Sequence, residues 1–241
     1  MTIQEKLGMN FDQLMEHGPI NIVAFGDSVT HGAVGLDEIN YETVYWNRLR
    51  RKISALRNYV PVNAINAGIG GVTAAMSLAR MERDVFSHHP DLVIVCFGLN
   101  DINDPLEEYT DALAAIFDAC RQRGVAAIFM TPNMLNTYVT EDTPAELRDY
   151  AAKTAAMQND GTMDAYMLAA CRTAREHGIP VCDCYALWKQ RSRTEDTTRL
   201  LANGINHPCA ELHELFAQEL FRMLFPDSVP ETSGESTMWR A

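Results

Sequence analysis

Apolar residues along this chain follow two spacings. Short apolar-rich runs fall at 20–25, 61–66, 92–97, 125–130 and 179–183. The third, Leu92-Val93-Ile94-Val95-Cys96-Phe97, is unbroken, as expected of a strand buried on both faces of a parallel sheet. Between the runs, apolar positions recur every three to four residues. Val44, Tyr45, Leu49, Ile53 and Leu56 predict a helix over about 41–58. Further helices are predicted over about 73–88, 105–123, 145–158, 164–177 and 209–224, with a short one around Leu187. Thr73 is placed to cap the second helix, and Gly124 to stop the third. Residues 1–19 read as a short helical or irregular lead-in ending at Gly18-Pro19, and 32–40 and 200–208 read as loops. Residues 133–163 are the least regular, and their length makes them a candidate lid or pocket wall.

Five strands alternating with helices imply a parallel sheet covered on both faces through right-handed crossovers. The expected fold is α/β: a three-layer α/β/α sandwich, flavodoxin-like, with a five-stranded parallel sheet in the order 2-1-3-4-5. No internal repeat or interdomain linker is evident, so residues 1–241 are expected to form a single domain with its core at about 20–225. The tail from 226 to 241 is rich in Pro, Ser and Glu and reads as a mobile segment or an intersubunit contact. A homo-oligomer is left open.

Composition narrows the partners. The chain is 47% hydrophobic and 22% charged, ordinary globular values. A net charge of −12 disfavours nucleic acid and anionic membrane surfaces. No apolar stretch approaches 18 residues, and the N-terminus lacks a basic segment followed by an apolar one. The expectation is a reduced, cytoplasmic chain. Its six cysteines do not make a disulfide framework in a chain this long. Cys96, Cys120 and Cys171 lie in apolar patterns and read as buried thiols, and Cys182-Asp183-Cys184 lacks the second cluster a metal site needs. The polar face of the 41–58 helix, with Arg48, Arg50, Arg51, Lys52 and Arg57, reads as a solvated basic face.

Candidate chemistry sits where strands end. The run 20–25 stops at Gly26-Asp27-Ser28, which leaves the Ser28 hydroxyl at the carboxyl edge of the sheet, where open α/β sheets bind ligands. Taken alone, this is also an ordinary turn with Asp27 or Ser28 as N-cap. The other strand ends bring Gly71, Asn100 and the Pro132-Asn133 segment to the same edge, and the loop before the last helix brings His207. A hydroxyl, an imidazole and fixed N–H donors are the set acyl transfer requires. The backbone N–H groups of Ser28 and Gly71 and the Asn100 amide can supply three such donors.

These blocks resemble the SGNH (GDSL-type) hydrolases over roughly residues 20–225: Gly26-Asp27-Ser28; Asn66-Ala67-Gly68-Ile69-Gly70-Gly71 with Thr73; Gly98-Leu99-Asn100-Asp101; and His207-Pro208. The resemblance implies Ser28 as nucleophile and His207 as base. It implies an oxyanion hole from the Ser28 N–H, Gly71 (Gly70 next) and Asn100. No Gly-x-Ser-x-Gly elbow is present, so the α/β-hydrolases are not matched. One departure matters: the family places Asp three residues before the His, and position 204 here is Gly. The orienting group for His207 is therefore expected to be a neutral neighbour, Asn203 or Asn206, or a backbone carbonyl, with Asp183 as the carboxylate alternative.

The expected function is serine ester hydrolysis through an acyl-enzyme, on a small or carbohydrate O-acyl (acetyl) ester. Alternatives are a lysophospholipase- or thioesterase-type acyl hydrolase, or a catalytically impaired ligand-binding member of the fold. No metal or organic cofactor is called for, and the expected partner is a small-molecule ester, not nucleic acid or membrane. Several residues have two readings. His31 lines the pocket or lies on the surface. His213 reads as surface, His88-His89 as a helix end, and Asp27 and Asp101 as turn holders. Tyr41, Tyr45, Trp46 and Tyr138 are candidates to wall an acyl or sugar pocket, although Tyr45 has core spacing.

Overall fold

The computed structural model describes residues 1–36 and 38–228. Most of the Pro/Ser/Glu-rich tail, 229–241, lies outside the described residues. Two short helices, α1 (Ile3–Leu7) and α2 (Phe11–His17), precede the sheet, each opened by a capping box, from Thr2 and Asn10. Strand β1 (Ile20–Gly26) runs into the one-turn helix α3 (Ser28–His31), and α4 (Tyr45–Leu56) leads to β2 (Val62–Gly68). Short helices α5 (Ala74–Ser77) and α6 (Met81–Asp84) precede β3 (Leu92–Cys96). Then come α7 (Leu106–Gln122), β4 (Ala126–Met130), α8 (Arg148–Asn159), α9 (Thr162–Glu176), β5 (Val181–Cys182), α10 (Cys184–Arg191) and α11 (His213–Leu224).

The five strands form a parallel sheet in the order β2-β1-β3-β4-β5. This is the expected α/β architecture. Helix α4 packs on α11 on one side, and α7 packs on α5 and α9 on the other. β1 and β3 are buried nearly throughout, which explains their lack of polar alternation.

Three expectations needed correction. The helix expected over 73–88 is broken into α5, α6 and two 3₁₀ turns, Leu78–Arg80 and Phe86–His88. The cause lies in Arg80, which is turned inward. Its guanidinium donates to the carbonyls of Ala67 (2.6 Å) and Gly26 (3.2 Å) and to Ser77 Oγ (3.1 Å), over the Phe25 ring. A buried guanidinium needs such acceptors, and a regular helix would not deliver it to the strand ends. The basic face of α4 is only partly solvated: Arg48 and Lys52 both pair with Glu214 on α11, and Arg57 donates to the Leu7 carbonyl. His213, expected on the surface, is fully buried between Tyr45 and Phe216. It begins the stripe His213, Phe216, Ala217, Leu220 that α11 turns inward.

Candidate active site

Helix α3 lies across the ends of β1 and β2, and two glycines make room for it. A Cβ on Gly26 would stand 2.2 Å from Thr30 Oγ1, and one on Gly68 would stand 2.3 Å from the His31 nitrogen. Asp27 caps the turn, its Oδ1 accepting the Val29 N–H at 3.0 Å. Tyr45 and Trp46 hold it from behind: Tyr45 Oη meets Thr30 Oγ1 at 2.9 Å and Trp46 Nε1 donates to the Thr30 carbonyl at 2.9 Å. Tyr45 is buried and so walls no pocket. The result fixes Ser28 as the first residue of a helix, where its N–H has no intrahelical acceptor.

His207 reaches this turn from the loop before α11. Its Nε2 is 3.0 Å from Ser28 Oγ. Its Nδ1 is 2.7 Å from the Gly35 carbonyl oxygen. A carbonyl only accepts, so Nδ1 carries the proton and Nε2 presents its lone pair to the Ser28 hydroxyl. Gly35 belongs to a small closed loop in which Val34 N–H donates to Glu38 O (3.0 Å) and Asn40 N–H to Gly32 O (2.8 Å).

The side chains expected to orient His207 do other work. Asn203 Oδ1 collects the N–H groups of Ile205, Asn206 and His207 at 2.9–3.0 Å, and its amide donates to Asn206 Oδ1 at 2.8 Å. Both asparagines thus build the loop and leave Nδ1 to Gly35. Asn133 Nδ2 donates to the Asn206 carbonyl at 2.8 Å and anchors that loop to the end of β4. Asp183 caps α10 through Ala186 N–H and accepts the Thr131 hydroxyl, both at 3.1 Å. Position 204 is Gly with φ +66°, and a Cβ there would lie 3.1 Å from Thr140 Oγ1.

The second and third blocks are joined to each other. Asn100 Nδ2 donates to the Val72 carbonyl at 3.0 Å, and Asp101 Oδ1 accepts the Ala74 N–H at 2.7 Å. Asn100 keeps a second amide N–H beyond this bond. Gly71 sits at φ +81°, and the neighbouring Gly70 comes against the nucleophile turn, its Cβ position 3.7 Å from Ser28 Cβ and 3.8 Å from His31 Nδ1. His31 lines a cavity of about 400 Å³ with Tyr41, Trp46 and Asn66.

Burial sets the proton affinities. It pulls His207 below its ordinary 6.5, and the Gly35 carbonyl offsets this only in part. Burial pushes His213 down to about 3, with Arg48 and His207 adding to the effect, and its Nδ1 accepts the Tyr45 N–H. Asp27 is pushed up to about 7 and Asp101 to about 6, burial first in both; the Oδ2 of each lies buried with no hydrogen-bond partner. The turn-holding reading of these two carboxyls agrees with their bonds to Val29 and Ala74. The Gly35 carbonyl had no sequence signature beyond a glycine in a loop, because a main-chain acceptor has no side chain to mark it.

A model of the GDSL-like lipase/acylhydrolase family matches residues 24–215. The chain belongs to this family. By class it is a carboxylic ester hydrolase. Its fold is similar to that of Axe2, an acetylxylan esterase from Geobacillus stearothermophilus, at 22% identity and a TM-score of 0.66, covering 85% of this chain and 94% of the other. LAE5, an alpha/beta hydrolase enzyme from the metagenome of Lake Arreo in Spain, is similar at 22% identity and a TM-score of 0.64, with 85% and 94% covered. Among curated proteins, the uncharacterized lipoprotein YqeF of Bacillus subtilis (strain 168) is 27% identical over 121 residues, 46% of this chain and 47% of the relative. The match therefore spans about half the length of that relative. Among the described residues, no helix is long and apolar enough to cross a membrane.

Proposed function

We propose that the chain hydrolyses a short-chain, acetyl-type ester of a small or carbohydrate alcohol, with Ser28 as nucleophile and His207 as general base and acid. The observation that carries this reading is the relay from Ser28 Oγ to His207 Nε2 at 3.0 Å and from Nδ1 to the Gly35 carbonyl at 2.7 Å.

Ser28 Oγ attacks the acyl carbon while its proton passes to Nε2. The oxyanion of the tetrahedral intermediate takes hydrogen bonds from the Ser28 and Gly71 N–H groups and the Asn100 amide. As the intermediate collapses, Nε2–H protonates the departing alcohol. A water then attacks the acyl-enzyme, gives its proton to Nε2, and the carboxylic acid leaves with the Ser28 hydroxyl restored.

The third member of this relay is a dipole, not a charge. A carbonyl holds the tautomer but gives the imidazolium less stabilisation than a carboxylate. The pair in contact also favours an enzyme over a ligand-binding relic, since a relic has no need of the Ser28–His207 bond. Support for the acyl and alcohol types comes from the fold shared with an acetylxylan esterase.

The test is turnover of p-nitrophenyl acetate by the wild type and by Ser28→Ala and His207→Ala. Turnover abolished in both variants supports the reading. Turnover retained by Ser28→Ala excludes it.

A further inference from the structure

Beside the His207 loop lies a cavity of about 670 Å³, formed where 138–144 faces 198–204. Two of its walls adjoin the relay just described. Leu36 follows Gly35, whose carbonyl holds Nδ1, and Asn203 accepts the His207 N–H. From these residues we propose that this cavity binds the alcohol part of the ester, and that this part is a neutral saccharide; the proposal rests on the ester-hydrolase reading above.

The lining selects the ligand class. Tyr138 and Leu36, 40% and 47% exposed, offer an aromatic and an aliphatic face. Such faces pack on the C–H surface of a sugar ring, much as other apolar surfaces do. The Tyr138 ring is held in place: its hydroxyl donates to Asp196 Oδ2 at 2.6 Å, and Arg199 pairs with the same carboxylate at 3.4 Å. Glu141 and Asp142 add acceptors for ligand hydroxyls.

The same residues argue against the other acyl-hydrolase substrates. A fatty acyl chain needs a continuous apolar wall, and here Thr140, Glu141 and Asp142 interrupt it. A phosphate-bearing alcohol, such as a lysophospholipid headgroup or a coenzyme thioester, needs unengaged cations. The cavity's cation, Arg199, is engaged with Asp196, and Glu141 and Asp142 repel an anion. A ligand with many hydroxyls and no charge meets neither obstacle.

The experiment compares kcat/KM for O-acetylated cellotriose, glucose pentaacetate and p-nitrophenyl acetate in the wild type, Tyr138→Ala and Tyr138→Trp. Tyr138→Ala is expected to lower kcat/KM for the trisaccharide ester roughly five- to tenfold more than for p-nitrophenyl acetate, through KM. Tyr138→Trp, which restores a ring, is expected to recover most of that loss. An equal fall on all three substrates overturns the proposal, as does no preference of the wild type for the trisaccharide over glucose. Calorimetric titration of unacetylated cellotriose into Ser28→Ala reads the cavity without turnover. Binding that Tyr138→Ala weakens supports the cavity even where the esterase reading fails. Absence of binding overturns the cavity while leaving p-nitrophenyl acetate hydrolysis to decide the esterase reading.

Discussion

Replacing Gly204 with Asp puts the residue that the family pattern expects three positions before His207, yet it is expected to weaken the protein without building a triad. Gly204 has φ +66°, and an Asp Cβ at that position meets Thr140 Oγ1 at 3.1 Å. Left-handed backbone costs a non-glycine residue roughly 1–2 kcal/mol, somewhat less for Asp. Thr140 cannot yield freely, because its hydroxyl is bonded to Thr143 at 2.9 Å. Overpacking of this kind costs about 1–3 kcal/mol. The sum is a destabilisation of about 2–5 kcal/mol. A side chain leaving Gly204 starts towards Thr140, and Nδ1 of His207 already donates to Gly35 at 2.7 Å. The assay pairs urea denaturation with p-nitrophenyl acetate kinetics for the wild type, Gly204→Ala and Gly204→Asp. Both variants should lose similar stability, and kcat/KM of the folded Gly204→Asp protein should stay within about threefold of wild type or fall. In serine proteases, spoiling the orienting Asp costs about 10⁴ in kcat. A gain of tenfold or more in Gly204→Asp would therefore refute the expectation that a side chain at 204 cannot displace the carbonyl from Nδ1.

Other expectations follow from the buried titrating groups. Because burial lowers His207 and no carboxylate raises it, the ascending limb of kcat/KM should have its midpoint below pH 6.5; a midpoint above 7 would point to an ionised partner. Asp27 binds its proton more tightly folded, at about 7, than unfolded, near 3.8, so its contribution to stability falls as pH rises from 4 to 7. Asp27→Asn keeps the cap to Val29, and relative to wild type it should gain on the order of 4 kcal/mol between pH 4 and pH 8, read from urea midpoints; an equal difference at both pH values would show that the carboxyl is not held neutral. His213 has the opposite sign: neutral when folded, with a value of about 3, it draws stability down as pH falls from 6.5 towards 3, by up to on the order of 5 kcal/mol. His213→Gln should flatten that acid slope, and an unchanged slope would place the loss elsewhere.

The sheet was legible because its signal is one of composition. Leu92–Phe97 is apolar throughout and Ile20–Phe25 is apolar but for Asn21, as expected of strands buried on both faces. The blocks brought together in the sequence do lie together in the fold: the Ser28 and His207 side chains approach to 3.0 Å, one from the end of β1 and the other from the loop before α11. The candidate site was not legible where the backbone does the work. Gly35 contributes a carbonyl, and no side chain announces it. Helix pairing hid the rest. Glu214 draws Arg48 and Lys52 onto α11, and His213 is buried because α4 and α11 share that face. At the break in the predicted helix Arg80 is turned inward to the carbonyls of Ala67 and Gly26, partners distant in sequence, while it also pairs with Asp84.

The most direct test of the central claim, that Ser28 is a nucleophile activated by His207, is covalent labelling. Intact wild-type protein treated with a fluorophosphonate at neutral pH should gain one adduct, mapped by peptide mass spectrometry to Ser28. The labelling rate should follow the same sub-6.5 titration as turnover and fall at least a hundredfold, on the order expected for loss of a general base, in His207→Ala. No adduct, an adduct on another residue, or a rate that His207→Ala leaves unchanged would contradict the account.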